Sequence, residues 1–120
     1  ERTGDARTAL YKFGVAVSLS PEDSALWSGI ARAALKIVPN SDEVSTLQQA
    51  AVSAAMNAYQ TSRTVSQRAE ALSLLAQSLD RRQEGRPALE AYKASLELAN
   101  APAVQAALAD ARARLAAGDP

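Results

Sequence analysis

The chain has 120 residues, 48% of them hydrophobic but only 4% aromatic, and its thirteen basic and thirteen acidic side chains cancel. Zero net charge provides no long-range field to hold a polyanion, so nucleic acid is not an expected partner. With no histidine and no cysteine, the chain lacks the commonest general base, thiol nucleophiles, disulfides and nearly all zinc chemistry. The expectation is a non-enzymatic protein with no cofactor and no metal. No apolar run reaches the roughly 20 residues that span a bilayer. Neither a signal peptide nor an initiating methionine precedes Glu1, so the chain is read as a segment of a longer protein.

The 28 alanines, set against 5 glycines and 5 prolines, favour helix throughout, and apolar residues recur at steps of three and four with no alternation of period two. The first helix is predicted from about Asp5 to Leu19. Ser20-Pro21-Glu22-Asp23 reads as a stop and restart, with Ser20 as cap and Pro21 in the first turn. A second helix then runs to about Val38, ahead of Pro39. Asn40-Ser41-Asp42-Glu43 opens the third, with Asn40 or Ser41 as cap, and it extends to about Ser62. Thr64 and Gln67 form a capping box for a fourth helix to about Gln83. Gly85 breaks the chain, Pro87 restarts it, and a fifth helix reaches about Ala99. Asn100-Ala101-Pro102 begins a sixth that ends near Ala117, before Gly118. Helices joined by such short turns pack as antiparallel neighbours, either in a closed bundle or in an open stack of hairpins.

Internal similarity favours the stack. Ala9-x-x-x-Phe13-x-x-Ala16, Ala55-x-x-x-Tyr59-x-x-Ser62 and Ala88-x-x-x-Tyr92-x-x-Ser95 share one small–aromatic–small pattern on the first, third and fifth helices. The second and fourth carry Trp27-x-x-Ile30-Ala31-x-x-Ala34 and Leu72-x-x-Leu75-Ala76-x-x-Leu79. On these residues the chain resembles the tetratricopeptide repeat (TPR) family, whose unit of about 34 residues is a helix–turn–helix hairpin. The resemblance implies an all-α, TPR-like α-solenoid of about six helices: a half repeat at about 5–21, an irregular repeat at about 24–63, a regular one at about 69–101 and a capping helix at about 102–117. Trp27 and Ala55 are 28 residues apart where Leu72 and Ala88 are sixteen apart, so the irregular unit carries about twelve extra residues. These are assigned to the Pro39–Asp42 loop and to a longer start of the third helix. The stretches Ser53–Arg63, Arg68–Arg82 and Arg86–Asn100 are also similar to a helical region ahead of the macroglobulin domains in large bacterial alpha-2-macroglobulin-like proteins. That likeness implies a periplasmic or cell-envelope setting and a spacer or docking role inside a protease-trapping chain; without it the default is cytoplasmic.

In such arrays the first helix of each hairpin lines a concave surface. The resemblance places Ala25, Ser28, Arg32, Leu35 and Lys36 there from one unit, and Glu70, Ser73, Gln77, Asp80 and Arg81 from the next. Ser28, Arg32, Lys36, Ser73, Gln77 and Arg81 are the candidate contacts for a protein or peptide, or for other domains of the same chain. Arg32 and Lys36, four apart on one face, suit a carboxylate. Arg81, Arg82 and Arg86 form the densest basic spot, with Asp80 and Glu84 beside them for local neutralisation. The acidic pairs Glu22/Asp23 and Asp42/Glu43 read as first-turn caps, and the many serines have no base to activate them. Trp27 is expected in the core, and the helix-interior Gly14 and Gly29 are expected at close crossings. Two further expectations concern the ends: an uncovered edge near Leu10, Phe13 and Val17 that drives self-association, and a final helix whose outer face carries Gln105, Asp110, Arg112 and Arg114.

Overall fold

A computed structural model describes residues 2–118, with side chains from residue 5. The chain is all-α: α1 (Arg2–Leu19), α2 (Ser24–Lys36), α3 (Val44–Thr61), α4 (Val65–Arg81), α5 (Gly85–Leu98) and α6 (Pro102–Ala116). Among the described residues there is no strand.

The caps explain where each helix begins. Asp23, not Ser20, caps α2: its carboxylate accepts from the Ala25 N–H at 3.0 Å. Pro21 stays in the turn, where its carbonyl accepts the Trp27 indole N–H at 2.7 Å. Neither Asn40 nor Ser41 caps α3. Residues 41–43 form a turn, and the Glu43 carboxylate reaches back to the Asn40 N–H at 3.0 Å. The predicted box at α4 is present, with the Gln67 N–H donating to Thr64 Oγ1 at 3.0 Å and the Gln67 amide oxygen accepting from the Arg63 N–H at 2.7 Å. Gly85 is not the breaker between α4 and α5. Gln83 takes the left-handed conformation (φ 62°). The Gln83 N–H donates to Asp80 O and the Glu84 N–H to Leu79 O, the paired bonds that satisfy a helix's last carbonyls. At α6, Pro102 occupies the first turn and Gly118 (φ 92°) ends the helix as expected.

Each helix packs against its chain neighbours, and α2 also packs against α4. The molecule measures 41 × 36 × 21 Å, so it is two helices thick at about 10 Å each. There is no single central core. One apolar cluster joins Val17, Ile30, Ala31, Ala54, Ala55 and Leu74 across α1–α4, and a second joins Ala76, Ala88, Ala91, Tyr92, Leu108 and Ala111 across α4–α6. α4 contributes to both. A serine ties the open end of each hairpin: Ser24 Oγ donates to Ala58 O between α2 and α3, and Ser95 Oγ to Ala69 O between α4 and α5, both at 2.8 Å.

The two hairpins differ in length at their closed ends. With Trp27 matched to Leu72 and Ala55 to Ala88, α2 and α4 both end at matched positions, Lys36 and Arg81. The linker of residues 37–43 replaces the shorter 82–84, and α3 begins two helical turns before the position matched to the start of α5. This longer loop is clasped to α1, because Arg7 donates through both terminal nitrogens to Glu43 at 2.8 and 2.7 Å. The fork, together with the Asn40 N–H, holds the Glu43 carboxyl well below the usual range, at about 2.

The three aromatic positions are not equivalent. Phe13 is half-buried and sits on Gly29, where an added Cβ would lie 2.5 Å from the ring. Tyr92 is 3% exposed beneath α6, but Tyr59 is 42% exposed. Tyr92 is covered by Leu108 and Ala111, whereas beyond Tyr59 the chain turns into α4 at Val65, itself exposed. Trp27 is half-buried rather than enclosed. The predicted free edge of α1 also moves: Leu10, Phe13 and Val17 pack into the first cluster, and the uncovered apolar residues are Tyr11, Val15 and Leu19 on the opposite side. Gly14 makes no close crossing, with nothing within 4 Å of an added Cβ.

These observations give opposite expectations for Gly14 and Gly29. Gly14→Ala stabilises by about 1 kcal/mol through helix propensity, raising the thermal midpoint by roughly 4 °C. Gly29→Ala displaces the Phe13 ring and destabilises by about 1–2 kcal/mol despite the same propensity gain. Gln83→Gly removes a left-handed side chain and stabilises by about 1 kcal/mol; urea denaturation of the three variants reads all these signs. Glu43 contributes stability that is present above its unfolded-state pKa and is lost as pH falls toward its folded value of about 2. Glu43→Gln therefore flattens the fall in stability between about pH 5 and 2, measured as thermal midpoint against pH beside the parent chain.

Candidate binding groove

The predicted contact residues lie along the edge-by-edge pair α2 and α4, and two open clefts flank that pair. One, of about 760 Å³, lies where α1, α2 and α4 meet and takes in Asp5, Phe13, Arg32, Lys36 and Arg81. The other, of about 550 Å³, lies between α2, α4, α5 and α6 and takes in Gln77, Asp80, Arg81, Tyr92 and Arg114. Leu35 and Arg81 line both, so the clefts adjoin at these two residues and together make up a trough bordered by α1, α2, α4, α5 and α6.

Periodicity explains which side chains reach it. Arg32 and Lys36, one turn apart on α2, are exposed, as are Gln77 and Arg81 on α4. Ser28 does not reach the trough. It belongs to the same row of α2, but at 2% exposure it is sealed beneath the neighbouring helices. Ser73 is half-buried, and its Oγ accepts from the Gln77 amide at 3.2 Å, which helps fix Gln77. Ala25 and Glu70 are exposed, and Leu35 is half-buried.

Most of the charge here is already spoken for within the protein. Arg32 pairs with Glu70, linking α2 to α4. Arg114 of α6 pairs with Asp80, a contact between helices that no sequence spacing predicts. Arg81 donates to the Leu35 carbonyl at 2.8 Å, placing a cation at the α2 C-terminus, where the helix dipole favours it. Its neighbour Arg82 pairs with Glu84 at 2.9 Å, so the basic spot is divided between helix capping and a local ion pair, while Arg86 stays exposed. Lys36 has no carboxylate partner among the described residues. It is therefore the trough's uncommitted cation, facing a wall that also holds Asp5. Burial, and Asp80 beside it, push the Tyr92 phenol above its ordinary value, so this wall carries a neutral hydroxyl at physiological pH.

Other residues singled out in the sequence serve structure. Asp23 caps α2 and Glu43 holds the α1 clasp. No side-chain nitrogen or oxygen among the described residues is buried without a hydrogen-bond partner. The tying roles of Ser24 and Ser95 were not anticipated; their signal was a small polar residue at the outer end of each hairpin, which resembles an ordinary surface serine until the partner helix is placed. Among the described residues, no helix is long and apolar enough to cross a membrane. Compared with protein-family models, curated proteins and solved structures, the chain matches none of them.

Proposed function

We propose that the chain is a non-catalytic protein-interaction module of TPR-like hairpins that holds an extended peptide segment in the trough over α2 and α4. The segment belongs to another protein or to another part of the same polypeptide. One observation carries this reading: two open clefts adjoin at Leu35 and Arg81, giving an extended concave surface rather than one closed pocket. A closed apolar cavity with convergent polar groups suits a small molecule, whereas an extended open surface with charged walls suits a chain. The role is shape and charge: Lys36 supplies the free cation, and the Arg32–Glu70 and Arg114–Asp80 pairs stiffen the walls.

Capture from the extract of the parent cell tests the site. Lys36→Glu, an exposed change outside every ion pair described, is expected to reduce capture of the bound protein about tenfold, equivalent to about 1.4 kcal/mol. Arg86→Glu, outside the trough, leaves capture unchanged. Equal capture by both variants removes the trough as the binding surface.

A further inference from the structure

We infer that copies of this chain associate head to tail, the outer face of α6 on one copy docking against the outer face of α1 on the next. The α1 surface is the unusual one. Tyr11 and Leu19 are 74% and 81% exposed, and with Val15 they form a stripe at four-residue steps on the side away from α2. Within the molecule, a bulky apolar side chain packs on a small residue of the facing helix where Phe13 of α1 sits on Gly29 of α2, and Tyr92 of α5 shares its cluster with the small Ala76 of α4 and Ala111 of α6. The surface that fits the α1 stripe by this rule is α6. Its packed side carries Val104, Leu108 and Ala111. Directly opposite lie Pro102, Ala106, Ala109 and Ala113, all exposed. Of the residues expected on the outer face, Gln105, Asp110 and Arg112 are exposed and flank an alanine seam, while Arg114 turns inward to Asp80.

Register and charge select the pairing. Small residues at spacings of four, three and four form holes for knobs from a facing helix. With the helices antiparallel, Leu19 enters between Pro102 and Ala106, Val15 between Ala106 and Ala109, and Tyr11 between Ala109 and Ala113. The same register brings Lys12 level with Asp110 on one flank. Neither residue is in an ion pair among the described residues, so each is free for the other. A parallel arrangement instead puts Lys12 on the flank of Arg112. The fold supplies the antiparallel direction directly. Consecutive helices alternate and six is an even number, so a second copy stacked in the same orientation presents its α1 antiparallel to α6. The contact is heterologous and leaves a free end on every oligomer, so it propagates. One helix per side buries less than the roughly 800 Å² per partner of a standard interface, so association is weak and concentration-dependent.

Sedimentation equilibrium of the full chain over a concentration series tests this. The parent chain's average mass is expected to rise continuously past that of a dimer. Val15→Glu and Ala109→Glu, both at exposed positions and checked for unchanged circular dichroism, are each monomeric alone. Mixed in equal amounts they form a one-to-one dimer and nothing larger, because one retains a working α6 and the other a working α1. Lys12→Asp alone weakens association several-fold, and adding Asp110→Lys restores it to within about twofold. A parent chain that stays monomeric overturns the proposal, as does an Ala109→Glu chain that still associates, which means a symmetric α1–α1 contact or another acceptor. A mixture that remains monomeric overturns it too, and a double charge variant no stronger than the single overturns the antiparallel register.

Discussion

The distance between helices in this protein is set by residues with almost no side chain. Ala31, Ala55, Ala58, Ala71, Ala76 and Ala88 have no exposed surface, and the largest side chains buried as completely are the serines Ser28, Ser78 and Ser95. The side chains enclosed most completely between the helices are thus methyl and hydroxymethyl groups. Larger apolar residues such as Phe13, Trp27, Leu35 and Leu75 sit half-buried at the margins of the first cluster. Small contact residues permit close backbone approach, and dispersion then acts over many main-chain and Cβ atoms instead of a few bulky side chains. The cost is that each alanine removes little apolar area from water, so stability has to be gathered from many contacts spread along the array.

That economy explains the polar ties. Ser24 and Ser95 close the open ends of the two hairpins by donating to carbonyls of the facing helix, and the Arg7–Glu43 fork closes the gap left by the longer loop of residues 37–43. α4 joins the two halves: Leu74 lies in one cluster and Ala76 in the other, while its exposed Gln77 and Arg81 line the trough. The helix that holds the two halves together is therefore also the one that presents the candidate surface, and its charged residues divide between the two tasks.

Much of this architecture was legible in the chain. Six helices, their order and the joints near Pro39, Thr64 and Pro102 followed from period and capping chemistry, because these are local properties of the backbone. Finer local choices were less secure where several residues compete for one role. Ser20 and Asp23 both suit a cap, and the carboxylate prevails because it accepts from Ala25. Gly85 and Gln83 both suit the turn after α4, and the left-handed position falls on Gln83, where the bonds to Leu79 and Asp80 require it.

What the sequence by itself determined was the pattern of small and large faces along each helix, the fold class and the absence of histidine and cysteine chemistry. Tertiary structure decided which face each helix turned inward and which charges were consumed. Ser28 and Lys36 lie in one periodic row, yet one is buried and the other free, because α2 has neighbours over its middle and an open cleft beside its end. Phe13, Tyr59 and Tyr92 share one motif, yet only two are covered, because the cover comes from different helices in each case. Asp80 bonds Arg114, thirty-four residues away, rather than its neighbours in sequence. Burial and ion pairing depend on what lies across the gap, and the identity of that neighbour is settled only when the helices are assembled.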